Sequence, residues 1–348
     1  MRSQRALVTI ALVGWSCKAG PTPLRTTSPP PRTVRSIALP GVPSGGVFMD
    51  YLAYDRVHHR VWVPAGITGS VDVVDTGSGR VTRIDGFATA EVERRGLKRT
   101  VGPSSATVGD GVVFIGNRAD SSICGVNAVS LDKAGCITLD STPDGLAYIA
   151  ATHEVWATIP RNRSVTIVDA SAGTLTDRTS ITLDGTPEGY TVDDARGIFY
   201  TNLEDRDRTV AIDIKNRHVT QTWLPACGEN GPKGIAIDPE LDVLFAACTD
   251  HVVLLDAGRP GETLARLDAG DGVDNIDYVP RRRELYVAAA KAATLTIARV
   301  DDRRTLVPLA IVATAIGARN AVATDEGVAY LTDSPRGRLL VVSPAASR

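Results

Sequence analysis

Short apolar runs separated by turn residues recur along this chain at a nearly constant spacing. The stretch 231–268, GPKGIAIDPELDVLFAACTDHVVLLDAGRPGETLARLD, shows the unit most clearly. It holds four runs, at Gly234–Ile237, Val243–Ala247, His251–Leu255 and Thr263–Leu267, closed by Asp238-Pro239, Thr249-Asp250 and Gly258–Gly261. Each run is short, rich in aliphatic residues and bounded by breakers, so each predicts a strand rather than a helix. Four such strands in about forty residues make one antiparallel sheet, and a repeating sheet of that length predicts a β-propeller blade.

Seven innermost strands align: Asp50–Asp55, Ser104–Gly109, Asp144–Ile149, Glu188–Asp193, Lys233–Asp238, Asp274–Val279 and Arg319–Thr324. Five of the seven carry Gly or Asn second, which permits the close backbone approach that a crowded propeller axis demands. The last blade stops after three strands, at Leu339–Ser343. Arg35–Pro43 (RSIALPGVP) matches the fourth strand and exit of blade three, Thr179–Pro187 (TSITLDGTP), at five of nine positions. Thr33–Leu39 is therefore expected to complete the last blade and close the ring, removing a sheet edge that would template aggregation. The fold class is all-β: a seven-bladed propeller of four-stranded antiparallel blades, closed by an N-terminal strand.

DGLAYI…HEVWATIPRNRSVTIVD and GPKGIAID…LDVLFAAC resemble the YncE-like, YVTN-repeat family of exported seven-bladed propellers, from about residue 33 to the end. The resemblance implies the fold. It leaves the ligand open, since such scaffolds host many functions.

The remaining segments divide the chain. Arg2 and Arg5, the apolar run Ala6–Val13 and small residues up to Cys17 have the layout of an export signal, and Cys17 stands where a bacterial lipoprotein would be acylated. Residues 18–32, with Pro at 21, 23, 29, 30 and 31, read as an extended tether. Residues 33–348 are the propeller. Within it, Gly86–Pro103 is the longest connection between blades, and Glu91–Lys98 is expected to form a short charged helix. Such an insertion on the loop-rich face is a candidate recognition element.

At 348 residues and 43% hydrophobic content the chain can bury a large core, and a formal net charge of −2 offers no general field for nucleic acid. Arginine clusters at 281–283 and 303–304 fall on hairpin turns. Four cysteines lie in the exported body, where disulfides persist. Cys227 and Cys248 lie on one face and are expected to pair. Simple hairpin pairing sets Cys136 opposite a residue near Leu131, away from Cys124, so the bond between Cys124 and Cys136 stays open.

The first position of each inner strand should approach the mouth of the central channel. It is filled by Asp50, Ser104, Asp144, Glu188, Lys233, Asp274 and Arg319. These make a polar ring with the chemistry of a binding site; hydrated side chains plugging a channel would read the same way. Pro143–Leu146 is also similar to a ligand segment of gluconolactonase- and regucalcin-like propellers. That resemblance implies a divalent cation, Ca²⁺ or Mg²⁺, held by Asp50, Asp144, Asn275 and Asn320 and polarising a lactone carbonyl. The histidines lack metal-ligand spacing, and no Gly-x-Ser-x-Gly elbow, phosphate loop or CxxCH occurs. The expectation is a monomeric binding or scaffold module of the cell envelope, taking a small molecule or an envelope protein and touching membrane only through a lipid anchor. The alternative is a metal-dependent lactonase-like hydrolase.

Overall fold

A computed structural model describes residues 32–94, 96–171 and 174–344. The expected export signal, Cys17 and all but the last residue of the expected tether lie outside them. The chain forms seven four-stranded antiparallel sheets and one two-stranded hairpin. Blade one runs Ala53–Asp55, Arg60–Ala65, Ser70–Asp75 and Val81–Ile84, and blade five runs Ile235–Asp238, Val243–Ala247, His251–Asp256 and Thr263–Asp268. The four apolar runs of blade five are thus its four strands.

Burial follows radial position. Val243–Ala247 and His251–Asp256, the middle strands of blade five, are buried throughout, whereas its outer strand Thr263–Asp268 is largely exposed. Each sheet packs both faces against neighbours, so a middle strand carries apolar residues without alternation. The core therefore lies between blades. One cluster joins Phe245, Val252 and Leu254 of blade five to Tyr278, Leu285 and Val287 of blade six. Each such side chain contributes about 1.5–3 kcal/mol of burial.

The inner strands approach as the small second residues require. Gly189 N donates to Lys233 O at 3.1 Å and Gly234 N to Asp274 O at 2.9 Å, linking successive blades through the backbone. A Cβ on Gly189 would meet Lys233 O at 2.4 Å, and one on Gly234 would meet Asn275 Cα at 2.7 Å.

Ring closure follows the expectation. Arg32–Ala38 pairs antiparallel with Arg338–Pro344, from Arg32 opposite Pro344 to Ala38 opposite Arg338. Ile37 and Leu39 enter a core cluster with Tyr54 and Val61 of blade one and Leu339 and Val341 of blade seven.

One expected helix and one hairpin register are corrected, and the open cysteine pairing is formed. Glu91–Lys98 forms no helix: Ala90–Arg94 pairs with Leu97–Val101 in a hairpin, with Glu93 opposite Lys98. Gly96, at φ 74°, turns the chain as a left-handed residue, and Val92, Thr100 and Val101 favour strands. Cys124 and Cys136 stand directly opposite one another, Cα to Cα 4.0 Å, and are disulfide-bonded. The turn lies earlier than simple pairing assumed. Asn127 Oδ1 accepts from the N–H groups of Val129 and Ser130, both at 2.9 Å, so Leu131 belongs to the turn itself. Cys227 and Cys248 are bonded as expected. Two disulfides are what a chain folded in an oxidising compartment carries, consistent with export.

Candidate functional site at the channel mouth

All seven inner strands start on the same face, so their first residues meet around the channel. Three of the acids there are threaded on two arginines. Arg118 bonds Asp50 Oδ2 at 2.8 Å and also bonds Asp144. Arg319 bonds Asp50 at 3.4 Å and Asp274 at 2.5 Å. Both guanidinium groups stand over the ring of Phe48, 5.4 and 5.3 Å from its centre, and that ring remains 40% exposed. Tyr51 donates its hydroxyl to Asp144 Oδ2 at 3.5 Å and packs beside Tyr190, ring centres 5.7 Å apart.

Two ring members behave differently. Lys233 forms its ion pair with Glu204, on the turn after blade four's second strand, rather than with a ring acid. Ser104 is buried, and its hydroxyl has no hydrogen-bond partner. Glu188 is then the mouth acid without a basic partner among the described residues. Burial pushes its carboxyl up to about 8, reinforced by the charges of Asp144, Asp274 and Asp50, with Lys233 pulling weakly the other way. Glu188 is therefore largely protonated at neutral pH. Asp144 is pushed up to about 6 by burial, with Arg118 holding it down against the charge of Asp50. Burial likewise raises Asp274 against the pull of Arg319. Burial works against the charge on Arg118, but Asp144 and Asp50 outweigh it and keep the guanidinium firmly protonated.

Arg118, Phe48 and Glu204 are the contributors that the strand alignment missed. Arg118 sits just past the second strand of blade two, and the inserted hairpin holds its turn. Arg118 N donates to Gly102 O at 3.0 Å, and Asn117 Nδ2 donates to Ala88 O at 3.1 Å. Gly102 and Ala88 flank the hairpin on either side. The insertion thus shores up the turn that presents Arg118.

The four oxygen donors implied for a divalent cation do not form a cage. The guanidinium of Arg118 bridges Asp50 and Asp144. Asn320 turns its Nδ2 toward Asp50 Oδ1 at 2.9 Å, while its Oδ1 accepts from Asn275 N at 3.1 Å. Among the described residues no group of three or more His, Cys, Asp or Glu side chains is arranged to hold a metal ion. Arginines stand between these carboxylates.

Replacing Arg118 with methionine is expected to cost about 2 kcal/mol at pH 8, less than the ~3–5 kcal/mol for breaking a fully buried pair, because the mouth is partly hydrated. The loss should shrink toward pH 5, where Asp144 can take a proton, and adding Asp144→Asn should recover part of it. Urea midpoints at the two pH values measure this. An equal loss at both would show that packing, not charge, is what Arg118 supplies.

No protein-family model matches this chain, and neither does any curated protein. Solved structures do. A virginiamycin B lyase from Staphylococcus aureus superposes with a TM-score of 0.70 at 12% identity, spanning 90% of this chain and 99% of that one. A streptogramin B lyase structure does so at 0.69 and 12%, over 90% and 97% of the two chains. Hydrazine synthase from Kuenenia stuttgartiensis gives 0.70 at 15% identity, over 87% and 97%. At these identities the likeness is one of fold, and the fold shared with the lyases is the seven-bladed β-propeller.

Proposed function

We propose that this chain is an exported, lipid-anchored propeller of the YncE-like kind, acting as a binding module through its channel mouth. The observation that carries this reading is the imbalance at the mouth. Three aspartates are matched by Arg118 and Arg319, while Glu188 keeps an unmatched carboxyl beside them. A ligand group that donates hydrogen bonds or carries positive charge would satisfy Glu188, and Phe48 offers it an apolar shelf. The locked arginines preorganise the surround, so binding would order few side chains. The donor set does not fit the divalent cation that a metal-dependent hydrolase would need.

The test is ligand capture from cell-envelope extract on the immobilised full chain. Glu188→Lys should lose the captured species, and Arg303→Glu, on a hairpin turn of the opposite face, should keep them. Equal capture by all three proteins would place binding away from the mouth.

A further inference from the structure

Below the mouth, the channel holds a cavity of about 210 Å³. Its upper end is lined by Asp50, Asn275 and Asn320, its waist by Leu52, Ile235, Ile276 and Val322, and its far end by Asp277 and Tyr278. At about 30 Å³ per water, that volume suits a guest of roughly six to eight heavy atoms.

Asp277 is the unusual wall. It sits fourth in the inner strand of blade six, where blades one, three and five have Ala53, Ala147 and Ala236. Its carboxylate accepts from two backbone groups, Tyr278 N at 2.9 Å and Ala323 N at 2.6 Å. No salt bridge reaches it from any described residue. The charged groups facing it are Arg56 and Asp325, on the turns of blades one and seven, and these pair with each other at 3.1 Å. A carboxylate with no counter-ion of its own, in a cavity whose wall mixes aliphatic residues with Tyr51, Tyr190 and Thr191, favours a small organic cation that supplies the charge and a short apolar body.

We propose that the channel lumen is a binding site for a small alkylammonium ion, its nitrogen on the Asp277 carboxylate and its chain against Leu52, Ile235, Ile276 and Val322. The site adjoins the mouth, sharing Asp50 with it, but Glu188 is not part of its lining. Burial raises the Asp277 carboxyl to about 6, with the Ala323 N–H and Arg56 opposing. Since the ion needs the ionised form, affinity should hold above that pH and fall about tenfold per unit below it.

The experiment is calorimetric titration of the full chain at pH 8 with n-pentylammonium chloride, and with 1-pentanol as its neutral counterpart. One ammonium ion should bind per chain, and the alcohol should bind at least tenfold more weakly. Asp277→Asn, which keeps an acceptor for one backbone bond, should weaken the ammonium at least tenfold and leave the alcohol unchanged. Val322→Phe, which fills the lumen, should abolish ammonium binding while the protein still melts cooperatively, so a folding defect in one variant does not decide the result. Glu188→Gln should change ammonium affinity less than twofold. Comparable affinity for ammonium and alcohol, or unaltered ammonium binding by Asp277→Asn, would overturn the assignment. Loss on Glu188→Gln with Asp277→Asn intact would move the cation to the mouth and overturn it equally.

Discussion

Deleting residues 33–40 is expected to cost more stability than any point substitution named here. The deletion removes nearly all of the strand paired with Arg338–Pro344 and takes Ile37 and Leu39 out of a cluster shared with Val61, Leu339 and Val341. At about 1.5–3 kcal/mol for each apolar side chain removed, and with Leu339 and Val341 newly exposed, the loss is on the order of 5 kcal/mol. That approaches the whole stability of an ordinary domain, about 5–15 kcal/mol. The truncated chain should melt at least ~10 °C lower, and sheet edges freed from their partner should drive oligomers. Scanning calorimetry and size-exclusion chromatography read the two effects. A synthetic peptide spanning residues 32–40, supplied in trans, should restore part of the melting temperature and of the monomer. A truncated chain that melts like the intact one would remove the closing strand from the account of stability.

That strand was legible because its partner was missing. An array of similar blades makes an absence visible: three strands at one end, and one matching strand at the other. The inner strands were legible for a related reason. Packing around a common axis restricts most second residues, so Gly189 and Gly234 announce the axis by lacking a Cβ. Chemistry carried by loops gave no such signal. Arg118 reaches Asp50 and Asp144 from a turn held by its backbone bond to Gly102 and by Asn117 on Ala88, neither of which leaves a mark on the residues near 118. The inserted hairpin misled in another way. Glu, Arg, Leu and Lys favour helices over a short window, yet Gly96 and the pairing of Glu93 with Lys98 decide for a ribbon. The cysteine pair Cys124 and Cys136 turned on where one turn is centred, a matter of two or three residues that composition does not fix.

Asp72→Asn is expected to stabilise the protein in alkali and to leave it unchanged in acid. Asp72 lies on the third strand of blade one, fully buried, with neither carboxyl oxygen hydrogen-bonded. Arg83 stands opposite it in the register but is engaged elsewhere, on Asp85 at 2.6 Å, on Thr68 O at 3.2 Å and on Pro40 O. Burial pushes the Asp72 carboxyl from 3.8 up to about 7, Arg83 pulling it partly back. The folded state then holds a proton that the unfolded chain has already released. Between about pH 4 and pH 7 the unfolded state binds fewer protons, so stability falls as pH rises, and above pH 7 this group adds no further slope. Three units at about 1.36 kcal/mol each amount to ~4 kcal/mol lost from acid to alkali. Asparagine has nearly the shape of the protonated acid and no charge to bury. The variant should therefore match the wild type at pH 4.5 and exceed it by about 3 kcal/mol at pH 8 in urea titrations. Asp144 and Glu188 slope the same way in both proteins, so the difference between the two curves isolates Asp72. Parallel curves would mean that Asp72 finds a partner on folding rather than standing as a lone buried charge.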